Sequence, residues 1–299
     1  MNTVDLHMHS IASPDGEFTG KELVEKAKEA HLKVMAIADH DGVSSIEEAM
    51  HYAKLNNIVC IPAIEISSEM EDGTALHILG YNIDYKDPQL IKREKYVKSL
   101  YAKYSDAYMN KALEAGFKFE KEKVLEVAID GIVTEEMIGE AILADSRNDN
   151  DERLLEYRPG GNKADNPGFN FYKEFCHQGA ICYVKSEGIN MPLDKASEII
   201  HSSGGYMVLA HPAHNIKRDI AKLEKIVACG LDGIEVFSSY HTKEDTEFYY
   251  KQAKRLNLMQ TVGSDYHGKC KPAIKMGSID YFEEEIVKSL KKLQLFSSH

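Results

Sequence analysis

Val4, Leu6 and Met8 alternate with Asp5, His7 and His9 at the start of the chain. That two-residue period is the pattern of a β-strand, and it sends His7 and His9 out of one face side by side. Thr19 then precedes an apolar stripe at Leu23, Val24, Ala27 and Ala30, which predicts a capped helix. Residues 34–38 are a short continuous apolar run, suited to a strand buried on both faces, and they end directly in Asp39-His40-Asp41-Gly42. Ser44 and Glu47 suit a capping box for a helix ending near Asn56. A third strand is expected over 58–66, with Glu65 close to its C-terminal end. A fourth follows the turn Glu71-Asp72-Gly73 and carries His77 inside it.

From about residue 87 the rhythm changes. Pro88 opens a long polar helix to about Gly116, shorter helical segments follow near 120–128 and 134–144, and 145–168 is a loop rich in Asn, Asp, Gly and Arg. We read 87–179 as an inserted, mainly helical cap subdomain between two parts of a barrel, 1–86 and 180–299. Alternation resumes with a helix over 192–203 that ends at Gly204-Gly205. A strand over 206–210 runs into His211-Pro212, and a helix reaches about Ala228. A strand over 233–237, a helix over 243–256 and a strand over 259–262 complete the cycle, which ends in Gly263-Ser264-Asp265-Tyr266-His267. Repeated parallel β–α units of this length predict an α/β fold, a closed or nearly closed β/α barrel. Chemistry in such barrels collects at the C-terminal ends of the strands.

The chain is 299 residues long and 43% hydrophobic, enough to bury a sizeable core. No stretch approaches a membrane span and the N-terminus lacks a secretory pattern, so a soluble cytoplasmic protein is expected. The five cysteines show no Cys-x-x-Cys spacing, which argues against a disulfide framework or a thiolate zinc site. Reduced, mostly buried thiols are expected instead. A formal net charge of −12 argues against long nucleic acid as a partner. It leaves room for a small phosphorylated substrate, because bound cations reverse the local field.

Thirteen histidines are many for this length, and their positions carry the chemistry. His40, Glu65, His211, Asp265 and His267 fall at the ends of predicted strands, with His7 and His9 near the end of the first. Burying that many titratable groups without counter-ions is costly, and a cluster of divalent ions compensates it. Asp15 reads either as a turn former or as a carboxylate over the strand ends. His77 alone reads as an ordinary core histidine.

Taken together, Asp5-Leu6-His7-Met8-His9-Ser10, Ala38-Asp39-His40-Asp41, Glu65-Ile66-Ser67, His77-Ile78-Leu79-Gly80-Tyr81, Leu209-Ala210-His211-Pro212 and Gly263-Ser264-Asp265-Tyr266-His267 resemble the PHP (polymerase and histidinol phosphatase) family, in the family's order. The resemblance implies a distorted (β/α)7 barrel and a metal-dependent phosphoesterase with three divalent ions (Mn²⁺, Zn²⁺ or Fe²⁺). It places His7, His9, Glu65 and Asp265 on a first ion. Glu65, bridging, holds a second with His77 and His211, and Asp15, His40 and His267 hold a third. Where this chain has Asp15 some members have His, which leans the preference towards harder ions such as Mn²⁺. Chemistry of this kind uses a hydroxide shared between two ions near Glu65, with Asp41 orienting His40.

The insertion resembles the cap of the small phosphoesterase branch, as does Gly230-Leu231-Asp232-Gly233-Ile234-Glu235-Val236-Phe237 followed by Tyr240-His241-Thr242. Members of that branch act on nucleoside bisphosphates, cyclic sugar phosphates or the 5′ ends of short oligonucleotides. His241 reads as a substrate contact or as an exposed loop residue. Relatives often carry an Arg-Thr/Pro-His motif in the cap, but the matching helix here starts Thr134-Glu135-Glu136. Arg147, Arg153 or Arg158 would then take up the substrate's anion from the loop, unless they are solvated charge. The expected activity is phosphate-ester hydrolysis on a small metabolite or nucleotide. The alternatives are 5′→3′ cleavage of short oligonucleotides, C–N hydrolysis of the amidohydrolase type, and a non-catalytic module.

Overall fold

The computed structural model describes residues 2–177 and 179–293, so the last six positions of the expected barrel segment lie outside the described residues. The chain divides into two compact units. One is built within Met1–Glu94, Ile189–Gly268 and Ala273–His299, the other within Lys95–Gly188 and Lys269–Pro272.

The first unit is an α/β barrel. Its strands are β1 (Val4–Met8), β2 (Val34–Ile37), β3 (Val59–Glu69), β4 (Ala75–Tyr81), β5 (Met191–Pro192), β6 (Tyr206–Leu209), β7 (Gly233–Ser238) and β8 (Met259–Gly263). They form one sheet in the order β1-β2-β3-β4-β6-β7-β8, with the short β5 pairing β3. The sheet nearly closes on itself: the His9 amide donates to Tyr266 O at 2.9 Å and the Asp265 amide donates to His7 O at 2.8 Å.

The β–α alternation predicts parallel strands throughout, and one strand departs from it. β1, β2 and β3 run parallel, and so do β6, β7 and β8, but β4 is antiparallel to both its neighbours. The turn after β3 is the reason. The Met70 amide donates to Thr74 O across it, and Gly73 takes φ +79°. A connection that short makes only a hairpin, because a parallel return needs a crossover of a dozen or more residues. β3 runs on as a hairpin arm to Glu69, which leaves Glu65 in mid-strand and not near its end. In the reversed β4, His77 lies near the beginning of the strand, paired with Ser67.

Helices α1 (Gly20–Glu29) and α2 (Ile46–Leu55) join the first strands. Thr19 caps α1 through a reciprocal box with Glu22. The expected box at Ser44 and Glu47 gives way to a different arrangement. α2 follows Ser45, whose hydroxyl donates to Asp39 and makes no cap hydrogen bond to the helix. Helix α3 (Pro88–Glu114) begins in the barrel unit, where Leu90 enters the barrel core and Arg93 meets Asp41. Those contacts carry the chain beyond residue 87 before it leaves the unit.

In the second unit α4 (Lys121–Val127), α5 (Glu135–Ala144) and α6 (Pro167–Phe171) follow α3. Phe117, Phe171 and Phe175 form an aromatic centre, with ring centroids 5.2, 5.3 and 4.9 Å apart. Asn166 donates to Cys270 O at 2.5 Å, which draws the short stretch 269–272 into this unit. Back in the barrel come α7 (Leu193–Ser202), α8 (Pro212–Asn215), α9 (Ile220–Ala228), α10 (Lys243–Arg255) and α11 (Glu283–Lys292). The cysteines are free thiols, but only Cys176 and Cys182 are fully buried, the others being half-buried at element edges. Among the described residues no helix is long and apolar enough to cross a membrane.

Candidate metal centre

The pocket is built around Glu65, which is fully buried. Its Oε1 lies 3.3 Å from His7 Nε2, 3.1 Å from His77 Nδ1 and 3.2 Å from His211 Nε2. Its Oε2 lies 3.3 Å from His9 Nε2 and 3.0 Å from His40 Nδ1. Alternation in β1 brings His7 and His9 out together, their Nε2 atoms 3.1 Å apart. Asp265 Oδ1 faces both, at 3.3 and 3.0 Å. Asp15 Oδ2 lies 3.1 Å from His267 Nε2 and 3.8 Å from His40 Nε2.

Three overlapping gatherings result, each with its ligand-type atoms within 4.8 Å of one another: His7, His9, Glu65 and Asp265; His9, Asp15, His40 and His267; and His40, Glu65 and His77. His211 joins them through Glu65. His211 and Asp265 hold positive φ values of +23° and +58°. Non-glycine residues adopt that region at a cost of about 1–3 kcal/mol, which surrounding contacts must offset.

Charges of opposite sign face each other throughout the pocket. Burial alone would lower the His7 pKa, but Glu65, Glu235 and Asp265 hold it well above its ordinary value. Burial also opposes ionisation of Glu65, yet His7, His77 and His40 hold its carboxyl well below the usual range. Asp15 is held low against the same penalty by His267 and His40. For His40, desolvation is outweighed by Glu65 and Asp15, which raise it to about 9. His77 is lowered, because burial there exceeds the pull of Glu65.

The outward ring nitrogens are tied to acceptors. His9 Nδ1 donates to Ser13 Oγ at 3.0 Å, and that hydroxyl donates to Asp39 at 3.1 Å. Asp39 also accepts from the amide and hydroxyl of Ser10. His211 Nδ1 donates to Asn215 Oδ1 at 2.9 Å, and His267 Nδ1 to Asp265 O at 2.8 Å. His7 Nδ1 lies 2.9 Å from Glu235 Oε1. A proton on each of these Nδ1 atoms leaves the Nε2 lone pair facing the pocket. Tyr240 donates to Asp265 Oδ2 at 2.6 Å.

The remaining predicted residues are engaged differently. Asp41 does not orient His40. Its carboxylate accepts from Arg93 Nε at 2.9 Å and from the Ser67 amide, while the ring nitrogens of His40 face Glu65 and Asp15. The left-handed backbone at Asp41, φ +52°, accompanies this turn towards Arg93. His241 Nδ1 donates to Val236 O at 2.9 Å and its Nε2 accepts from the Ala213 amide at 3.4 Å, so both ring nitrogens serve the backbone. Arg147, Arg153 and Arg158, in the second unit, pair with Asp145, Asp151 and Asp149. No local pattern singled out Ser13 or Arg93, and Glu235 lay in a matching stretch with nothing to assign it a partner.

The donor set fits divalent cations. Imidazole and carboxylate together suit Zn²⁺, Mn²⁺ and Fe²⁺. Glu65 Oε2 and Asp15 Oδ1 are buried yet accept no hydrogen bond, although imidazole nitrogens crowd Glu65 Oε2 at 3.0 and 3.3 Å. Groups aimed at a shared point, and not at each other, make that pattern.

A barrel with this pocket defines a metal-dependent hydrolase. The PHP domain model matches residues 5–207. A 5′-3′ exoribonuclease of Haemophilus influenzae is 34% identical over 269 residues, covering 89% of this chain and 90% of the relative. A phosphoribosyl 1,2-cyclic phosphate 1,2-diphosphodiesterase of Eggerthella lenta is 28% identical over 272 residues, covering 89% and 94%. The structure of an amidohydrolase from Chromobacterium violaceum, with bound sulfate and no metal, shares the fold with a TM-score of 0.77 at 23% identity, covering 98% of this chain and 96% of that one. The chain belongs to the PHP domain family, and it is a metal-dependent phosphoesterase.

Proposed function

We propose that the pocket holds three divalent ions and hydrolyses a phosphate ester of a small metabolite or nucleotide. His7, His9, Glu65 and Asp265 would hold one ion, and Glu65, His77 and His211 a second. Asp15, His40 and His267 would hold the third. The observation that carries this is the position of Glu65, whose carboxylate is sealed from solvent and ringed by five imidazoles. Divalent ions bound there supply a low-pKa water and neutralise phosphoryl oxygens.

The chain's own groups arrange the rest. Ser13, Asn215 and the Asp265 carbonyl fix the protons of His9, His211 and His267 on the outward nitrogen. Tyr240 holds one oxygen of Asp265, leaving the other directed at His7 and His9. The side chains of His77 and Asp15 are 34% and 25% exposed where Glu65 is sealed, so substrate would reach the pocket past these two residues.

The test is to load the protein with Mn²⁺, Zn²⁺ or Fe²⁺, measure metal content, and assay a nucleoside bisphosphate, a cyclic sugar phosphate and a dinucleotide. Phosphate or nucleotide release that disappears in His7→Ala supports the proposal. Three bound ions with no hydrolysis of any of these compounds would sink it.

The kinship with the Haemophilus influenzae exoribonuclease favours a second reading, 5′→3′ cleavage of short RNA. The net charge of −12 confines it to short strands. Preference for the dinucleotide over mononucleotides would select it.

A further inference from the structure

Glu235 sits in β7 between Ile234 and Val236 and is fully buried. Its two oxygens face donors from different parts of the barrel. Oε1 lies 2.9 Å from His7 Nδ1, and Oε2 accepts from the His211 amide at 2.8 Å. That amide belongs to the residue whose φ is +23°. β8 leaves space for the pair: a Cβ on Gly263 would lie 2.1 Å from Glu235 Oε1 and 2.2 Å from His7 Cβ.

We infer that Glu235 is a positioning residue that sets the metal-binding tautomer of His7 and holds His211 in place with the same carboxylate, and that Gly263 is glycine to admit it. This rests on the proposed ligand roles of His7 and His211.

The chemistry is specific to a carboxylate. His7 Nε2 faces Glu65 and Asp265, so a ring that coordinates through Nε2 carries its proton on Nδ1. The His211 amide also donates. Both groups meeting Glu235 are therefore donors, and both of its oxygens must accept. Glutamine has the same shape but offers one acceptor and one donor. In Glu235→Gln either the amide group opposes the His211 N–H, or the His7 proton moves to Nε2 and blocks coordination. Gly263→Ala should break the same pairing by pressing on both partners, Glu235 Oε1 and His7 Cβ.

The experiment has two arms. Long-range ¹H–¹⁵N NMR of the Zn²⁺-loaded wild type, with His7 assigned by comparison with His7→Asn, reads which ring nitrogen carries the proton. Protonation at Nδ1 is expected, and protonation at Nε2 overturns the inference whatever the variants do. Titration with Mn²⁺ and Zn²⁺ should then show Glu235→Gln and Gly263→Ala binding roughly 10- to 100-fold more weakly than wild type. Wild-type affinity in folded Glu235→Gln overturns the role of Glu235 and leaves the metal centre standing. A wild type that binds neither ion removes the metal centre and, with it, the inference. If Glu235→Gln does not fold, the wild-type spectrum carries the decision.

Discussion

The guanidinium of Arg93 lies 2.8 Å from the carboxylate of Asp41, and both side chains are buried. Arg93 also donates to the carbonyls of Ser67 and Ile189, so one side chain joins the turn after β2, strand β3 and the chain as it re-enters the barrel. Removing one member of a buried pair leaves the other charge uncompensated, which costs about 3–5 kcal/mol. Arg93→Leu should lower the unfolding free energy by about that amount, read from urea denaturation. Arg93→Leu combined with Asp41→Leu should recover part of it. A loss below about 1 kcal/mol for the single variant, the scale of an exposed pair, would show the contact to be dispensable.

Glu65 is the residue on which the metal proposal turns. Glu65→Gln keeps the volume and removes the charge that faces five histidines. We expect the purified variant to lose at least one ion per chain and phosphate release to fall by more than about 100-fold, beyond what loss of an outer partner causes. A chelator should abolish wild-type activity and Mn²⁺ should restore it. Unchanged metal content in Glu65→Gln, measured by elemental analysis, would remove Glu65 from the ligand set.

His40 gives the centre a pH dependence. Desolvation pulls its pKa below the ordinary 6.5, and Glu65 and Asp15 together raise it to about 9. A proton on the ring competes with a metal ion, so metal affinity of the chelator-treated protein should rise with pH up to about 9 and then level off. Stability of the metal-free protein runs the other way. The contribution of protonated His40 is fully present below pH 6.5 and is lost as pH rises through about 9. Competition titrations and thermal melts across that range check both signs.

The second unit offers a packing test away from the chemistry. Gly139 lies inside α5, and a Cβ there would come within 2.8 Å of Phe171 Cβ. Helix propensity favours alanine by about 1 kcal/mol, whereas forcing an extra methyl into a packed core costs about 1–3 kcal/mol. The clash is with an atom bonded to the backbone, so we expect Gly139→Ala to destabilise. A raised melting temperature would show that Phe171 can yield.

Most donors of the pocket are legible because they sit in local patterns, whereas Asp15 and His77 join them only through the family resemblance. Period-two alternation marked His7 and His9, and abrupt ends of apolar runs marked His40, His211 and the Asp265–His267 pair. His77 was harder. Its place depends on β4 running against its neighbours, which follows from the length of one turn and is invisible in the strand itself. Glu235 was hidden for a different reason: a polar residue between Ile234 and Val236 looks like any half-buried strand. Arg93 lies among the charged residues that open α3, where nothing local separates it from a solvated arginine. Asp41 follows His40 directly, which suggests that residue as its neighbour, but its partner Arg93 is 52 positions away.

The donors of the pocket run from His7 to His267, with the 95–188 unit strung between His77 and His211. During translation the first pair of imidazoles therefore leaves the ribosome long before the last one is synthesised. A nascent chain that stops short of residue 211 already carries His40, Glu65 and His77 but lacks His211, Asp265 and His267. Completion of the donor set is therefore a late event in biogenesis, one that waits for the last strand of the barrel.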